Sequence, residues 1–187
     1  MKSDRRVRYS RMVLKQALLS LMLERPITRI TVTEICERAE VNRATFYAHY
    51  MDIYDLKEQL ENELLESFSR VFIEACEKLG TELLSEEMFI KIFSLLRENS
   101  EQCVILLNSD SEIVEKFESV SRDIVLSVYG KNFPNASKER LNAYYLFVSS
   151  GCVALVKQWL LYAPDVPVEK VAEEVCAVLQ KGIGCLL

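Results

Sequence analysis

The stretch Thr31-Val32-Thr33-Glu34-Ile35-Cys36-Glu37-Arg38-Ala39-Glu40-Val41-Asn42-Arg43-Ala44-Thr45-Phe46-Tyr47-Ala48-His49-Tyr50 reads as two short helices meeting at a tight turn. The first opens at Thr31 or Thr33, because a threonine oxygen can accept a hydrogen bond from a helix amide that otherwise has no partner. Glu34 then falls in the first turn, on the favourable side of the helix dipole. Ile35, Ala39 and Val41 form one apolar side, while Glu34, Glu37 and Arg38 point to water. Asn42 offers a second cap. Phe46 and Tyr50 follow at a spacing of four, which puts both rings on one inward face of a second helix.

What is left outward on that helix is Arg43, Ala44, Thr45 and Ala48, with Tyr47 and His49 on the flanks. Two alanines one turn apart let a helix approach a surface closely. Arg43 and Thr45, near the helix start, are then placed to reach base edges in a major groove about 12 Å wide, where arginine pairs with guanine and a threonine methyl touches thymine. Tyr47 and His49 suit phosphate oxygens, which fix register without reading sequence. The candidate DNA-binding set is Thr31, Thr33, Asn42, Arg43, Ala44, Thr45, Tyr47, Ala48 and His49. A plain helical hairpin with a solvated polar side would satisfy the same pattern.

The runs Ile30 to Ala39 and Val41 to Tyr50, followed by a helix beginning near Asp52, resemble the DNA-binding domain of the TetR family of transcriptional regulators over roughly residues 8 to 60. The resemblance implies an all-helical homodimer. Its N-terminal three-helix domain binds operator DNA and its C-terminal domain dimerises and often holds an effector; such proteins usually repress. Two positions depart from the pattern. The turn residue that is commonly glycine is Glu40, and a side chain at positive φ has a steric cost. The lysine often found just after the recognition helix, where it reaches a phosphate, is missing from Met51-Asp52-Ile53.

The 187 residues allow one or two domains with a self-sufficient core, and half apolar with 27% charged is an ordinary globular composition. The net charge of −5 hides an asymmetry: residues 1 to 50 hold ten Lys or Arg against five Asp or Glu, so the remainder carries −10. A positive end on an acidic body is steered onto phosphate by that end alone. A solvated, frayed basic terminus from Lys2 to Arg11 is the plainer reading of the first part of that charge. No secretory leader is visible, and no window reads as a membrane span of about 20 apolar residues, so a cytoplasmic protein without membrane contact is expected.

Six cysteines, Cys36, Cys76, Cys103, Cys152, Cys176 and Cys185, are scattered without a close pair, which suggests neither a zinc site nor a redox motif. Most lie on apolar helix faces as reduced core residues, and no metal or cofactor is expected. Catalysis is not expected either. The only histidine, His49, is on the proposed DNA helix, and no glycine-rich phosphate loop or H-E-x-x-H pattern exists.

The rest of the chain reads as helices separated by caps and prolines, with no alternating strand pattern. The first runs from about Tyr9 to Glu24 with Val13, Leu14, Ala17, Leu18, Leu21 and Met22 as its stripe, and ends before Pro26. A helix from Asp52 to about Leu79 repeats Leu56, Leu60, Leu64, Phe68 and Phe72 and would be about 40 Å long. Ser85 opens a helix that stops near Asn99, and a short one spans Glu101 to Leu107. Asp110 or Ser111 opens the next, with Ile113, Phe117, Val120, Ile124 and Val128 on one face as far as Gly130. Ser137 opens another that runs to Ala163. The last begins at Asp165 or Pro167 with Val168, Val171, Val175, Val178, Gly182 and Leu186 on one side.

The expected architecture is therefore all-α: residues 1–52 form the helix-turn-helix DNA-binding domain, joined by a shared long helix to a C-terminal helical domain, residues 53–187. The helix from Ser137 to Ala163 is apolar nearly all round, which calls for burial on both sides, and Ser149 to Cys152 are small enough for close crossing. It and the last helix are expected to pair with their copies across a two-fold axis. Phe93, Leu96, Cys103, Phe117, Tyr145 and Trp159 are candidates to line a pocket for a small apolar or neutral effector, although the same spacing suits an ordinary core. The function expected is a sequence-specific DNA-binding transcriptional regulator, a homodimeric repressor on a palindromic operator; a helical interaction module without DNA binding is the alternative.

Overall fold

The computed structural model describes the backbone of residues 2–79, 85–108 and 112–182, and the side chains of 5–75, 85–108, 112–179 and 181. Within that range the chain is all-α, with no strand. The order is α1 (Lys2–Glu24), a 3-10 turn (Ile27–Arg29), α2 (Val32–Arg38), α3 (Arg43–Tyr47), α4 (Ile53–Leu79), α5 (Glu86–Glu98), α6 (Ser100–Asn108), α7 (Ile113–Asn132), α8 (Lys138–Tyr162) and α9 (Val168–Gly182). The chain divides into two compact units, Met1–Leu64 and Leu65–Leu187, so the division falls inside α4.

The first unit is built around α1. Leu14, Ala17, Leu18 and Leu21 are buried, as the stripe predicts, and so are Ile35 of α2, Phe46 of α3 and Leu56 and Leu60 of α4. Burial of each such side chain is worth roughly 1.5–3 kcal/mol. α1 starts at Lys2 rather than near Tyr9. The apolar stripe begins only near Tyr9, but Arg5, Arg6, Val7 and Arg8 include no helix breaker and extend the helix without adding to the core. Polar links hold α1 to the first turns of α4: Arg11 donates to Gln59 at 2.9 Å, and Lys15 pairs with Glu63.

In the second unit α5 packs against α9 and α7 against α8, with α6 reaching α5, α7 and α8. Ser85 and Ser137 cap α5 and α8 through their hydroxyl oxygens, at 3.3 and 3.2 Å from the Met88 and Arg140 amides. The caps expected at Asp110 or Ser111, and Leu186, lie outside the described residues; α7 runs past Gly130 to Asn132. On α9 the buried set is Val168, Val171, Ala172, Val175, Cys176 and Leu179, whereas Val178 is 62% exposed and so does not share the inward face assigned to it.

α8, apolar nearly all round, is covered by its own chain on one side. Its side away from the core is open: Leu146, Phe147, Leu155 and Tyr162 are 45, 80, 48 and 73% exposed within the single chain. Over an 18-residue window its mean hydropathy reaches 1.2, enough by length and composition to cross a bilayer, where the sequence reading found no such window. The serines, Gly151 and Gln158 break the apolar run without lowering the average far. The inward side carries bonds that fix it among other helices. Tyr144 donates to the Leu179 carbonyl of α9 at 3.2 Å, Trp159 to the Val166 carbonyl at 3.0 Å, and Lys157 to the Leu107 carbonyl at 3.2 Å.

Candidate nucleic-acid interface

Thr31 caps α2 in a reciprocal arrangement. The Glu34 amide donates to the Thr31 hydroxyl oxygen at 3.3 Å, while the Thr31 amide donates back to the Glu34 carboxylate at 2.9 Å, a capping box. Arg25 reaches the same carboxylate at 2.6 Å. The Thr31 hydroxyl and amide, then Arg25, hold the Glu34 carboxyl below the usual glutamate range. Arg38 pairs with Glu24 of α1 at 2.5 Å, so both ends of α2 are tied back to residues near the end of α1.

The turn leaving α2 closes by two bonds, from the Glu40 amide to the Glu37 carbonyl at 3.2 Å and from the Val41 amide to the Cys36 carbonyl at 3.0 Å. These are the paired bonds of a helix stop in which the residue after the C-cap sits in the left-handed region. That residue is Glu40, with φ 54°, the one non-glycine residue at positive φ among those described. At the position where the sequence departs from the pattern, the backbone takes the left-handed conformation with a glutamate in it.

Asn42 then starts α3, its side-chain oxygen accepting from the Thr45 amide at 2.8 Å and from the Thr45 hydroxyl at 3.0 Å. The hydroxyl of Thr45 is thereby engaged by the cap. The regular helix ends at Tyr47, but the amides of Ala48 and Tyr50 still donate to Ala44 and Phe46 at 3.0 Å, so Tyr50 keeps its place on the face of Phe46. Phe46 is 0% and Tyr50 2% exposed, with ring centroids 5.7 Å apart.

Thr31, Thr33, Asn42, Arg43, Ala44, Tyr47 and Ala48 are exposed, and Thr45 and His49 are half-buried. Arg43 lies over the Tyr47 ring, 5.9 Å from its centroid, and donates to the Tyr47 hydroxyl oxygen at 3.4 Å. Two exposed side chains beside this face were not singled out in the sequence, Met51 at 81% and Tyr54 at 57%. The available signal was their position off the Leu56, Leu60, Leu64 stripe. The start of α4 is closed by acids. The Met51 amide donates to Asp55 at 2.7 Å and the Asp55 amide to Asp52 at 2.9 Å, so carboxylates stand where the sequence already lacked a lysine for phosphate.

The six pocket candidates belong to the second unit and are distributed through its interior. Phe93, Leu96, Cys103, Tyr145 and Trp159 are buried and Phe117 is half-buried. Several fill space against one another: the Phe93 and Trp159 rings are 6.0 Å apart, and Phe117 meets Phe68 of α4 at 4.6 Å. An open cleft of about 330 Å³ is lined instead by Glu115, Glu118, Ser119, Arg122, Asp123, Tyr145 and Leu146, and Tyr145 is the one candidate it shares. Its hydroxyl is engaged, 2.8 Å from both the Ser121 hydroxyl and the Glu118 carbonyl.

Cys36, Cys103 and Cys176 are buried and Cys152 half-buried, and these four form no disulfide; the side chains of Cys76 and Cys185 lie outside the described residues. Burial pushes the Cys103 thiol up to about 12 and the Cys152 thiol up to about 11, far from the thiolate form that reacts. Among the described residues no cluster of His, Cys, Asp or Glu could hold a metal ion.

Residues 84–181, just over half of the chain, match the TetR-type family described as "Transcriptional regulator C-terminal region". Over 67 residues the chain is 33% identical to an uncharacterized HTH-type transcriptional regulator, YxbF, of Bacillus subtilis strain 168; this is 36% of the chain but 18% of that relative's length. Among solved structures, a TetR transcriptional regulator from Streptococcus agalactiae 2603V superposes with a TM-score of 0.64 at 22% identity, covering 96% of this chain and 98% of that one. FadR of Thermus thermophilus, a TetR family transcriptional repressor in complex with lauroyl-CoA, superposes with a TM-score of 0.61 at 16% identity, covering 92% and 94%. At these identities the structural likeness speaks for the fold.

Proposed function

The chain belongs to the TetR family of transcriptional regulators, and on that premise we propose that it acts in the cytoplasm as a homodimeric, sequence-specific repressor whose α3 enters the major groove of a palindromic operator, with the start of α2 beside the backbone. The observation that carries the reading is the division of α3 into two faces. Phe46 is wholly buried while Arg43, Ala44, Tyr47 and Ala48, around it, are exposed. A helix anchored by one aromatic and lined outward by an arginine and two alanines can lie close to base edges without loosening its own core. Tyr47 and His49 serve phosphates, Arg43 and Thr45 serve bases, Ala44 and Ala48 allow the close approach, and Thr31, Thr33 and Asn42 complete the DNA-binding set.

The open side of α8 supports the dimer. Phe147, Gly151, Ala154, Leu155, Gln158 and Tyr162 recur at helical spacing on exposed surface, and a Cβ added to Gly151 would meet nothing within 4 Å. A stripe of small and apolar residues in that position is suited to its own copy about a two-fold axis, which in turn sets recognition helices about 34–36 Å apart. The C-terminal unit, with its aromatic interior, is the place for a small apolar or neutral effector that releases the DNA.

The test is a gel shift with DNA selected from a random pool. Affinity of the intact chain should fall steeply with salt, with a log–log slope near −0.9 per phosphate contact. Arg43→Ala combined with Tyr47→Ala should abolish specific binding while circular dichroism stays helical. Salt-insensitive or absent binding by the intact chain would instead favour a helical interaction module. A reporter whose expression rises on deletion of the gene supports repression, and one that falls marks an activator.

A further inference from the structure

Arg43 and Tyr47 stand one helical turn apart on the open side of α3. The Arg43 guanidinium lies 5.9 Å from the centre of the Tyr47 ring and donates to its hydroxyl oxygen at 3.4 Å. The Tyr47 ring stands edge-on to the ring of Phe46, with centroids 5.4 Å apart and an interplanar angle of 84°. Phe46 is 0% exposed. An immobile core ring therefore braces an exposed ring, and the exposed ring holds an arginine for which no acidic partner stands among the described residues. An arginine left loose loses much rotamer freedom when it docks, and ordering it beforehand lowers that cost.

We propose that Tyr47 is a positioning residue for Arg43. It presets the guanidinium for the edge of one guanine, so the choice of base at that operator position depends on Tyr47 as well as on Arg43. This rests on the DNA-binding reading and adds a second role for Tyr47 beside its phosphate contact. The two roles leave different marks. Loss of a phosphate contact weakens every sequence by the same factor, whereas loss of positioning weakens the preferred base and leaves the others. The hydroxyl bond is long and the ring supplies most of the hold, so phenylalanine should serve nearly as well as tyrosine.

The experiment selects a consensus duplex with the full-length protein. Dissociation constants are then measured for all four bases at each consensus position with wild type, Arg43→Ala, Tyr47→Phe, Tyr47→Leu and the Arg43→Ala plus Tyr47→Leu double variant. Arg43→Ala flattens the preference at one position of each half-site. Tyr47→Leu is expected to lower the preference at that same position by a factor of about two to five, the worth of an exposed cation–π contact. Tyr47→Phe should retain it, and Tyr47→Leu should change no preference further once Arg43 is gone. Equal weakening of all four bases by Tyr47→Leu, in both backgrounds, overturns the proposal while the regulator reading stands. A wild-type chain that enriches no sequence overturns both.

Discussion

Glu40 is held at φ 54° by the two bonds that stop α2, in the position where a helix end favours glycine. A left-handed residue with a Cβ costs about 1–2 kcal/mol, and glycine gives back part of that gain through the greater freedom of the unfolded chain. Glu40→Gly is therefore expected to stabilise the protein by roughly 1 kcal/mol, read as a higher denaturant midpoint at unchanged slope. Glu34 gives a pH test. Its carboxyl is held down by Thr31 and then Arg25, so its contribution to stability is complete above the ordinary glutamate value of 4.5 and is lost as pH falls through the lower folded value. The melting temperature of Glu34→Gln should fall less between about pH 5 and pH 3 than that of the wild type. Both residues were visible in the sequence, Glu34 as a first-turn acid and Glu40 as a misfit to the family pattern. The Arg43 and Tyr47 contact was not. A spacing of four allows a pair to meet, but two exposed side chains choose among rotamers by packing that only the fold supplies.

At the level of the helices, caps and stripes were legible because each rests on a local rule. Thr31, Asn42, Ser85 and Ser137 all cap where their position suggested, and the Leu56, Leu60, Leu64 repeat is buried in α4. α3 depends on its cap more than a long helix would, since it has five residues and a helix so short has little stability of its own. Asn42→Ala removes the acceptor of the Thr45 amide and hydroxyl and should cost about 1 kcal/mol. Chemical denaturation should show that loss, and amide hydrogen exchange should localise it to residues of α3. The beginning of α1 was not legible, nor was which of the apolar sides of α8 its own chain covers. A charged turn that extends a helix leaves no apolar period, and an apolar face carries no mark of whether its own chain or another surface covers it.

For the whole molecule, what matters is how the two units divide the work. The first 50 residues carry the positive excess and the face of α3; the rest carries the acidic balance and the open stripe of α8. Phe147, at 80% exposure in one chain, sits in that stripe as its most exposed large apolar side chain by fraction. Phe147→Asp places a charge where the dimer reading puts apolar contact and costs the single chain almost nothing. Equilibrium sedimentation at micromolar concentration should show the wild type as a dimer and this variant as a monomer, with far-ultraviolet circular dichroism unchanged. Operator affinity should drop steeply, because two half-sites are no longer held by one particle. A monomeric wild type would remove the dimer from the account.

The sequence contains a single tryptophan, Trp159, 4% exposed, with its ring beside Phe93 and its indole nitrogen donating to the Val166 carbonyl. Ultraviolet emission excited at the indole band therefore comes from one spot inside the C-terminal bundle and from nowhere else. The protein carries a built-in fluorescent reporter. A blue-shifted spectrum marks the closed interior, and a quench or red shift on adding a candidate inducer registers an event at the aromatic centre of this unit without any dye or label.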